Sequence, residues 1–119
     1  LELAGLKIPD SFEATSLLPI LENEAERVGR RYVFAEQAWD GLLTGTEMMT
    51  MVRDREWKLV HYLGNDDGEL YNMIADPGEH HNLWQEARYE ERKREMLGVL
   101  RDWRIRSAIS TADWTAPWR

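Results

Sequence analysis

The stretch EWKLVHYLGNDDGELYNMI, residues 56–74, decides the fold. Its first half has the period of two that is typical of a strand, so that Trp57, Leu59 and His61 share one face and the residues between them share the other. Asp67-Gly68 is a strong turn signal, and the segment ELYNMI then reads as a short returning strand. Residues 56–74 therefore predict an antiparallel hairpin.

Segments on both sides of this hairpin extend the pattern. RRYVFAEQ (30–37) and EMMTMVRD (47–54) are rich in β-branched, aromatic and other large apolar residues, and they predict one or two further strands. From Trp84 to about Ser107 the apolar period changes to that of a helix, and we expect Asn82 to cap it. The apolar stripe of this helix consists of Tyr89, Met96, Leu97, Leu100 and Trp103. The sequence thus predicts an α+β fold: a small antiparallel sheet of three to four strands packed against one long C-terminal helix.

The chain is expected to form a single domain over residues 1–119, in five parts. Residues 1–30 form a lead-in that contains a helix exit at Gly5 and a short helical turn at Leu17–Leu21. The other parts are a meander at 31–74, a connector at 75–83, a helix at 84–108 and a Trp-rich tail at 109–119. A helix exit without a helix beginning indicates that the chain is a piece of a longer protein.

Composition restricts the possible functions. A net charge of −7 argues against a nucleic-acid partner, because phosphate binding needs clustered, unopposed Lys and Arg. The absence of Cys excludes disulfides, thiolate zinc sites and a cysteine nucleophile within these residues. No apolar run is long enough to predict a membrane span. The compartment stays open between cytoplasm and periplasm.

His80 and His81 lie beside Asp76 and Glu79, and carboxylates with imidazoles are typical ligands of a metal site. Adjacent side chains in an extended segment or a turn diverge, however, so the two histidines rarely bind the same ion. Residues 76–79 read Asp-Pro-Gly-Glu, which has strong turn chemistry because Pro presets φ and Gly relieves strain. A turn with surface histidines is therefore favoured over a metal site, and no metal ligand is assigned.

The C-terminal region carries an unusual group of tryptophans. Trp103, Trp114 and Trp118 are three of the six in the chain, and exposed Trp is costly to solubility. We expect these three to contact this domain, a partner or a missing domain. The sequence contains no G-x-S-x-G elbow and no Gly-rich phosphate loop, so no catalytic residue is predicted.

Two stretches carry a family pattern. They are LELAGLKIPDSFEATSLLPIL (1–21) and MVRDREWKLVHYLGNDDGELYNMIADPGEHHNL (51–83). In order and spacing they resemble the L-x-x-A-G-L, S-L-L-P-L-L, R-x-x-K-L-V/I, E-L-Y-D-L and D-P-x-E-x-x-N-L segments of arylsulfatase-type sulfatases, in the alkaline phosphatase superfamily. One departure is Asn72, where Asp is usual in the family.

This resemblance implies that the chain is the C-terminal subdomain of a sulfatase. The parent enzyme would use calcium and a formylglycine made from Cys or Ser in C/S-x-P-S-R, and that motif is absent from residues 1–119. No cofactor and no catalytic residue is therefore assigned to the chain, which alone is expected to be inactive. It would brace the missing N-terminal catalytic domain, with His80 and His81 at the rim of the substrate pocket.

Two alternatives remain beside a sulfate-ester hydrolase. Phosphonate and phosphate monoester hydrolases share this superfamily architecture, and the nucleophile motif of the parent would separate them from sulfatases. A stand-alone interaction module, with the Trp-rich tail as its contact surface, is the third hypothesis. If the chain is a fragment, an exposed apolar surface would also favour self-association.

Overall fold

A computed structural model of the chain describes residues 1–9, 12, 14–22, 30–38 and 46–111, with side chains to residue 110. It divides into two units. One comprises residues 31–103, and the other comprises residues 1–30 with 104–119. In the described residues, no helix is long and apolar enough to cross a membrane.

The larger unit contains a four-stranded antiparallel sheet in the order β1-β2-β3-β4, so the predicted meander is confirmed. The strands are β1 (Val33–Ala38), β2 (Met48–Arg53), β3 (Trp57–Leu63) and β4 (Gly68–Asn72). Their register aligns one apolar residue from each strand, because Phe34 pairs with Val52, Val52 with Leu59 and Leu59 with Leu70. This row forms the centre of the sheet face that meets the helix.

The turn between β2 and β3 is held by Asp54. One oxygen of its carboxylate accepts hydrogen bonds from the backbone N–H groups of Glu56 (2.9 Å) and Trp57 (2.7 Å). The other oxygen binds the Arg92 guanidinium of the long helix at 2.6 Å. Burial by itself raises the pKa of Asp54, but the Trp57 and Glu56 N–H groups and Arg92 outweigh it, so its pKa lies below the ordinary value. Asp54 thus joins the hairpin to the helix.

The long helix α2 spans Glu90–Thr111 and follows a 3-10 turn at Ala87–Tyr89. It packs Met96 and Leu100, which are 0% and 4% exposed, against the sheet. The predicted α+β fold is therefore confirmed. The core cluster consists of Val52, Leu59, Leu70, Trp84, Met96 and Leu100.

The helix begins later than the sequence pattern predicts, and Asn82 as its cap is wrong. The Asn82 side chain bonds the sheet instead: its Oδ1 accepts from the N–H groups of Leu70 (3.1 Å) and Trp84 (2.9 Å), and its Nδ2 donates to the Gly68 carbonyl (2.9 Å). Leu83 N–H also donates to the Leu70 carbonyl, at 2.8 Å. Asn82-Leu83 thus covers backbone groups on the outer edge of β4, which would otherwise be unpaired.

The described residues of the N-terminal segment of the smaller unit carry little regular structure. A 3-10 turn at Glu2–Ala4 ends at Gly5, which adopts a left-handed φ of 68°. The short helix α1 spans Leu18–Leu21, as the sequence predicts. None of the residues in either element is buried, and Leu3 is 81% exposed.

A cleft beside the histidine pair as the candidate functional site

The loop between β4 and α2, residues 73–86, carries the histidine pair. It turns sharply at Asp76-Pro77-Gly78-Glu79, where the Glu79 N–H donates to the Asp76 carbonyl at 3.2 Å. Glu79 adopts a φ of 57°, a left-handed conformation that is uncommon for a residue other than Gly. The turn that the sequence predicts is therefore present.

Two interactions hold this turn in place. The Glu79 carboxylate pairs with Lys58 Nζ of β3 at 2.6 Å, which fixes the turn to the sheet. Asp76 Oδ2 accepts a hydrogen bond from the His81 backbone N–H at 2.8 Å. The backbone N–H groups of His80 and His81 hold the pKa of the Asp76 carboxyl below its ordinary value, because each favours the charged form. The charged Asp76 carboxylate therefore links the two sides of the loop.

A cleft of about 310 Å³ opens beside the Asp76–His81 hydrogen bond. Its walls are Asn72, Ala75, Asp76, His80, His81, Leu83 and Tyr89. Mostly apolar walls with a few polar groups are typical of small-molecule sites, and this volume is near the lower end for them. Both histidines line this one cleft, although the spacing in the sequence did not determine whether their side chains share a site.

Asn72 and Tyr89 line the cleft although sequence reasoning did not select them. The sequence marks Asn72 only as a departure from the family pattern and Tyr89 only as part of the apolar stripe of the helix. The Tyr89 ring makes an edge contact with Trp57, with ring centroids 5.4 Å apart. The Asn72 Oδ1 accepts from the N–H groups of Ile74 and Ala75, both at 3.0 Å. The sequence signal for Asn72 is its position four residues before the turn at 76–79.

The described residues offer no metal site. In the described part of the chain, no group of three His, Cys, Asp or Glu side chains could hold a metal ion. Calcium, which the family resemblance implies for the parent, thus has no fitting ligand set there. The arrangement can position a ligand through hydrogen bonds and an aromatic wall, and it supplies no nucleophile–base pair.

The predicted tryptophan surface is described only in part. Trp103 is half-buried and stacks on Phe34 of β1, with ring centroids 4.6 Å apart and an interplanar angle of 4°. Trp114 and Trp118 lie outside the described residues. One face of Trp103 is thus used within the domain.

With the sheet, helix and cleft defined, comparison with known proteins places the chain in a family. Residues 1–106 match the family described as N-sulphoglucosamine sulphohydrolase, C-terminal, and the chain belongs to it. A Delta 4,5-hexuronate-2-O-sulfatase of Bacteroides thetaiotaomicron is 34% identical over 110 residues, which are 89% of this chain and 22% of the relative.

Solved structures of larger enzymes contain a region with the same fold as this chain. A 2-O GAG sulfatase superposes with a TM-score of 0.76 and 30% identity, covering 94% of this chain and 24% of that chain. A phosphonate monoester hydrolase of Agrobacterium radiobacter superposes with a TM-score of 0.65 and 25% identity, covering 77% of this chain and 20% of that one. The chain spans about a fifth to a quarter of the length of these three proteins.

Proposed function

We propose that this chain is the C-terminal domain of an enzyme that hydrolyses sulfate esters of sugars. The observation that carries the proposal is the family match over residues 1–106, which includes the turn and the cleft. The sulfatase relative is named for a sulfated hexuronate, and this name supports a sulfated sugar as the substrate class. In this proposal the domain braces the catalytic domain and lines one side of its substrate pocket.

The catalytic groups belong to the rest of the enzyme in this proposal. Residues 1–119 contain no Cys and no Ser followed by x-Pro-Ser-Arg, so the formylglycine would arise outside them. Calcium would also be held outside the described residues, which offer no fitting ligand set. The part assigned to this chain is therefore binding and orientation of the sugar.

His80 and His81 are proposed to contact the sugar at the pocket rim. Their imidazole N–H groups can donate hydrogen bonds to sulfate, carboxylate or hydroxyl oxygens, and the Tyr89 ring adds an apolar wall to the same cleft. The fixed turn supports this role, because the Lys58–Glu79 ion pair holds the turn to β3 and the Asp76–His81 hydrogen bond closes the loop on itself. A loop backbone that is already fixed loses less entropy when a ligand binds.

The test is sulfate release by the full-length polypeptide that carries this chain. We expect hydrolysis of a 2-O-sulfated unsaturated uronate disaccharide, and His81→Ala should raise KM by about tenfold with a smaller change in kcat, as expected for lost ground-state binding. Arg94→Ala is the matched control, because Arg94 is an exposed residue of α2 whose side chain is 73% accessible. An unchanged KM in His81→Ala and in the corresponding His80→Ala variant would show that the cleft is not part of the substrate pocket.

A phosphonate monoester hydrolase is the second candidate, favoured by the superposition at a TM-score of 0.65. The same enzyme preparation distinguishes the two. Turnover of a phosphonate monoester in preference to the sulfated disaccharide would replace the first proposal with this one.

A further inference from the structure

The His80 ring packs directly against Gly78, two residues earlier in the turn. A Cβ atom added to Gly78 would lie 2.4 Å from Nε2, 2.8 Å from Cδ2 and 3.3 Å from Cε1 of this ring. Distances under 3.0 Å are ones that Cβ atoms essentially never show. The imidazole therefore occupies the space that any side chain at position 78 would need.

Gly78 is required for this space and not for its backbone conformation. The φ of Gly78 lies outside the left-handed region that favours glycine, so the backbone at this position accepts alanine. The atoms that would collide belong to the end of a rotatable side chain, and the His80 ring can turn away about its χ angles. Gly78→Ala should therefore displace the ring and leave the fold intact.

Glu79, between these two residues, directs the chain so that the ring lies over the turn. Its φ of 57° is left-handed, which is unfavourable for a residue with a side chain. Its carboxylate binds Lys58 Nζ at 2.6 Å, and the side chains of Lys58 and Glu79 are only 21% and 30% exposed, so salt screens the pair incompletely. The ion pair thus stabilises the backbone conformation that places His80.

The placed ring is open to a ligand. His80 is an exposed residue, and it lines the cleft together with Asn72, His81 and Tyr89. The core cluster of the described residues does not include it, so packing of the core gives no reason for the arrangement. An imidazole that is already held beside a cleft loses less freedom when it binds a ligand there.

We propose that Gly78 and Lys58 are positioning residues for substrate binding. Gly78 leaves room for the His80 imidazole, and Lys58, through Glu79, holds the turn that places this ring at the cleft. The inference rests on the proposed function, in which His80 contacts the sulfated sugar. It assigns roles to two residues that are not among the walls of the cleft in the described structure.

The first test is a double-mutant cycle in the full-length polypeptide, with the 2-O-sulfated unsaturated uronate disaccharide as substrate. Gly78→Ala should raise KM about fivefold and change kcat by less than about twofold, because the displaced ring no longer contributes ground-state binding. In a His80→Ala background the same substitution should change KM by less than about twofold, since no ring is left to displace. Effects that multiply in the double variant would overturn the inference.

Gly98→Ala is the matched control for the glycine substitution. Gly98 lies in α2, and among the described residues an added Cβ would meet nothing within 4 Å. This variant should keep the KM and kcat of wild type. A KM raised in Gly98→Ala as much as in Gly78→Ala would show that the effect does not come from the His80 ring, and this also overturns the inference.

The role of Lys58 is tested in the same assay. Lys58→Met removes the charge opposite Glu79 and should raise KM by about threefold with little change in kcat. Lys58→Arg keeps that charge and should restore most of the binding. A KM equal to wild type in Lys58→Met would refute the positioning role of Lys58.

Chemical labelling of the full-length polypeptide reads the position of the ring without turnover. Diethyl pyrocarbonate modifies imidazole nitrogens, and Nε2 is the His80 ring atom nearest to the added Cβ position on Gly78. Gly78→Ala should raise the labelling rate of His80 by about threefold, because the nitrogen lone pair becomes more accessible, and should leave the rate of His81 unchanged. Peptide mass spectrometry measures both rates. Equal His80 rates in wild type and Gly78→Ala would overturn the inference.

These readouts separate the inference from the function on which it rests. A full-length protein that cleaves the sulfated disaccharide, with KM and labelling unchanged in Gly78→Ala, refutes the positioning role alone. An unchanged KM in His80→Ala beside a raised KM in His81→Ala keeps the cleft in the substrate pocket and also overturns this inference. A full-length protein that cleaves no sulfate ester refutes the proposed function, and the labelling rates then still decide whether Gly78 positions the ring.

Discussion

Asn82→Ala gives the sharpest test of how the loop is joined to the sheet. The Asn82 side chain makes three hydrogen bonds, two accepted from the N–H groups of Leu70 and Trp84 and one donated to the Gly68 carbonyl. Leu70 is 0% exposed and Trp84 is 7% exposed, so water reaches these backbone groups poorly. Leaving a buried polar group without a partner costs about 1–3 kcal/mol. Asn82→Ala leaves three such groups, and water partly replaces the lost bonds at the loop, so we expect the free energy of unfolding to fall by about 2–4 kcal/mol in total.

Urea unfolding followed by tryptophan fluorescence measures this loss, and an unchanged slope m shows that stability alone has changed. Asn65→Ala is the matched control, because Asn65 makes one exposed side-chain bond, to Thr46 Oγ1 at 2.9 Å. We expect it to change the free energy of unfolding by less than about 0.5 kcal/mol. If Asn82→Ala is no more destabilising than Asn65→Ala, the loop is not held to β4 by this side chain.

Three further substitutions test the core, the β2–β3 turn and the β1 contact. Gly68→Ala should lower the free energy of unfolding by about 1–3 kcal/mol, because its Cβ would lie 2.6 Å from the Val60 carbonyl oxygen and 2.7 Å from two ring atoms of Trp84. A urea midpoint equal to wild type would refute this packing. Asp54→Asn should destabilise the domain at pH 7, because it loses the charge that binds Arg92 at 2.6 Å. The pKa of Asp54 is lower in the folded state than in the unfolded state. Its contribution to the free energy of unfolding is therefore complete above the unfolded pKa and is lost as pH falls through the folded pKa, so the stabilities of wild type and Asp54→Asn should converge in acid. A stability difference that stays constant from pH 7 to about pH 2 would contradict this. Trp103→Ala removes the ring stacked on β1 and should cost about 2 kcal/mol by thermal unfolding, against no measurable change if the stack is absent in solution.

The sheet was predictable because its pattern is local. Alternation from Trp57 to Leu63 places Leu59 on one face, and the register with Val52 and Leu70 follows once the turns are correct. The turn signal at Asp67-Gly68 supplied that information for β3 and β4. The sequence therefore predicted an antiparallel sheet of three to four strands and the helix that covers it, and the structure has four strands.

The role of Asn82 was not predictable, because it depends on a contact with a residue of another element. The cleft was not predictable either, because its walls, although all between residues 72 and 89, are brought together by the conformation of the loop. An Asn before a helical pattern favours a cap, yet here the N–H of Leu70, twelve residues earlier in the chain, binds its oxygen. Tyr89 fits the helix stripe as well as a cleft wall, and periodicity does not distinguish the two. The roles of His80, His81 and the tryptophans as contact residues stay predictions, with Trp114 and Trp118 outside the described residues.

The most direct test of the central claim is sulfate release by the pure 119-residue chain, compared with release by the full-length polypeptide at equal molar concentration. Because the chain contains no Cys and no Ser-x-Pro-Ser-Arg, we expect turnover by the full-length protein and no turnover by the chain alone. Hydrolysis of a generic aryl sulfate or of the sulfated disaccharide by the chain alone would contradict the assignment of catalysis to another part of the enzyme.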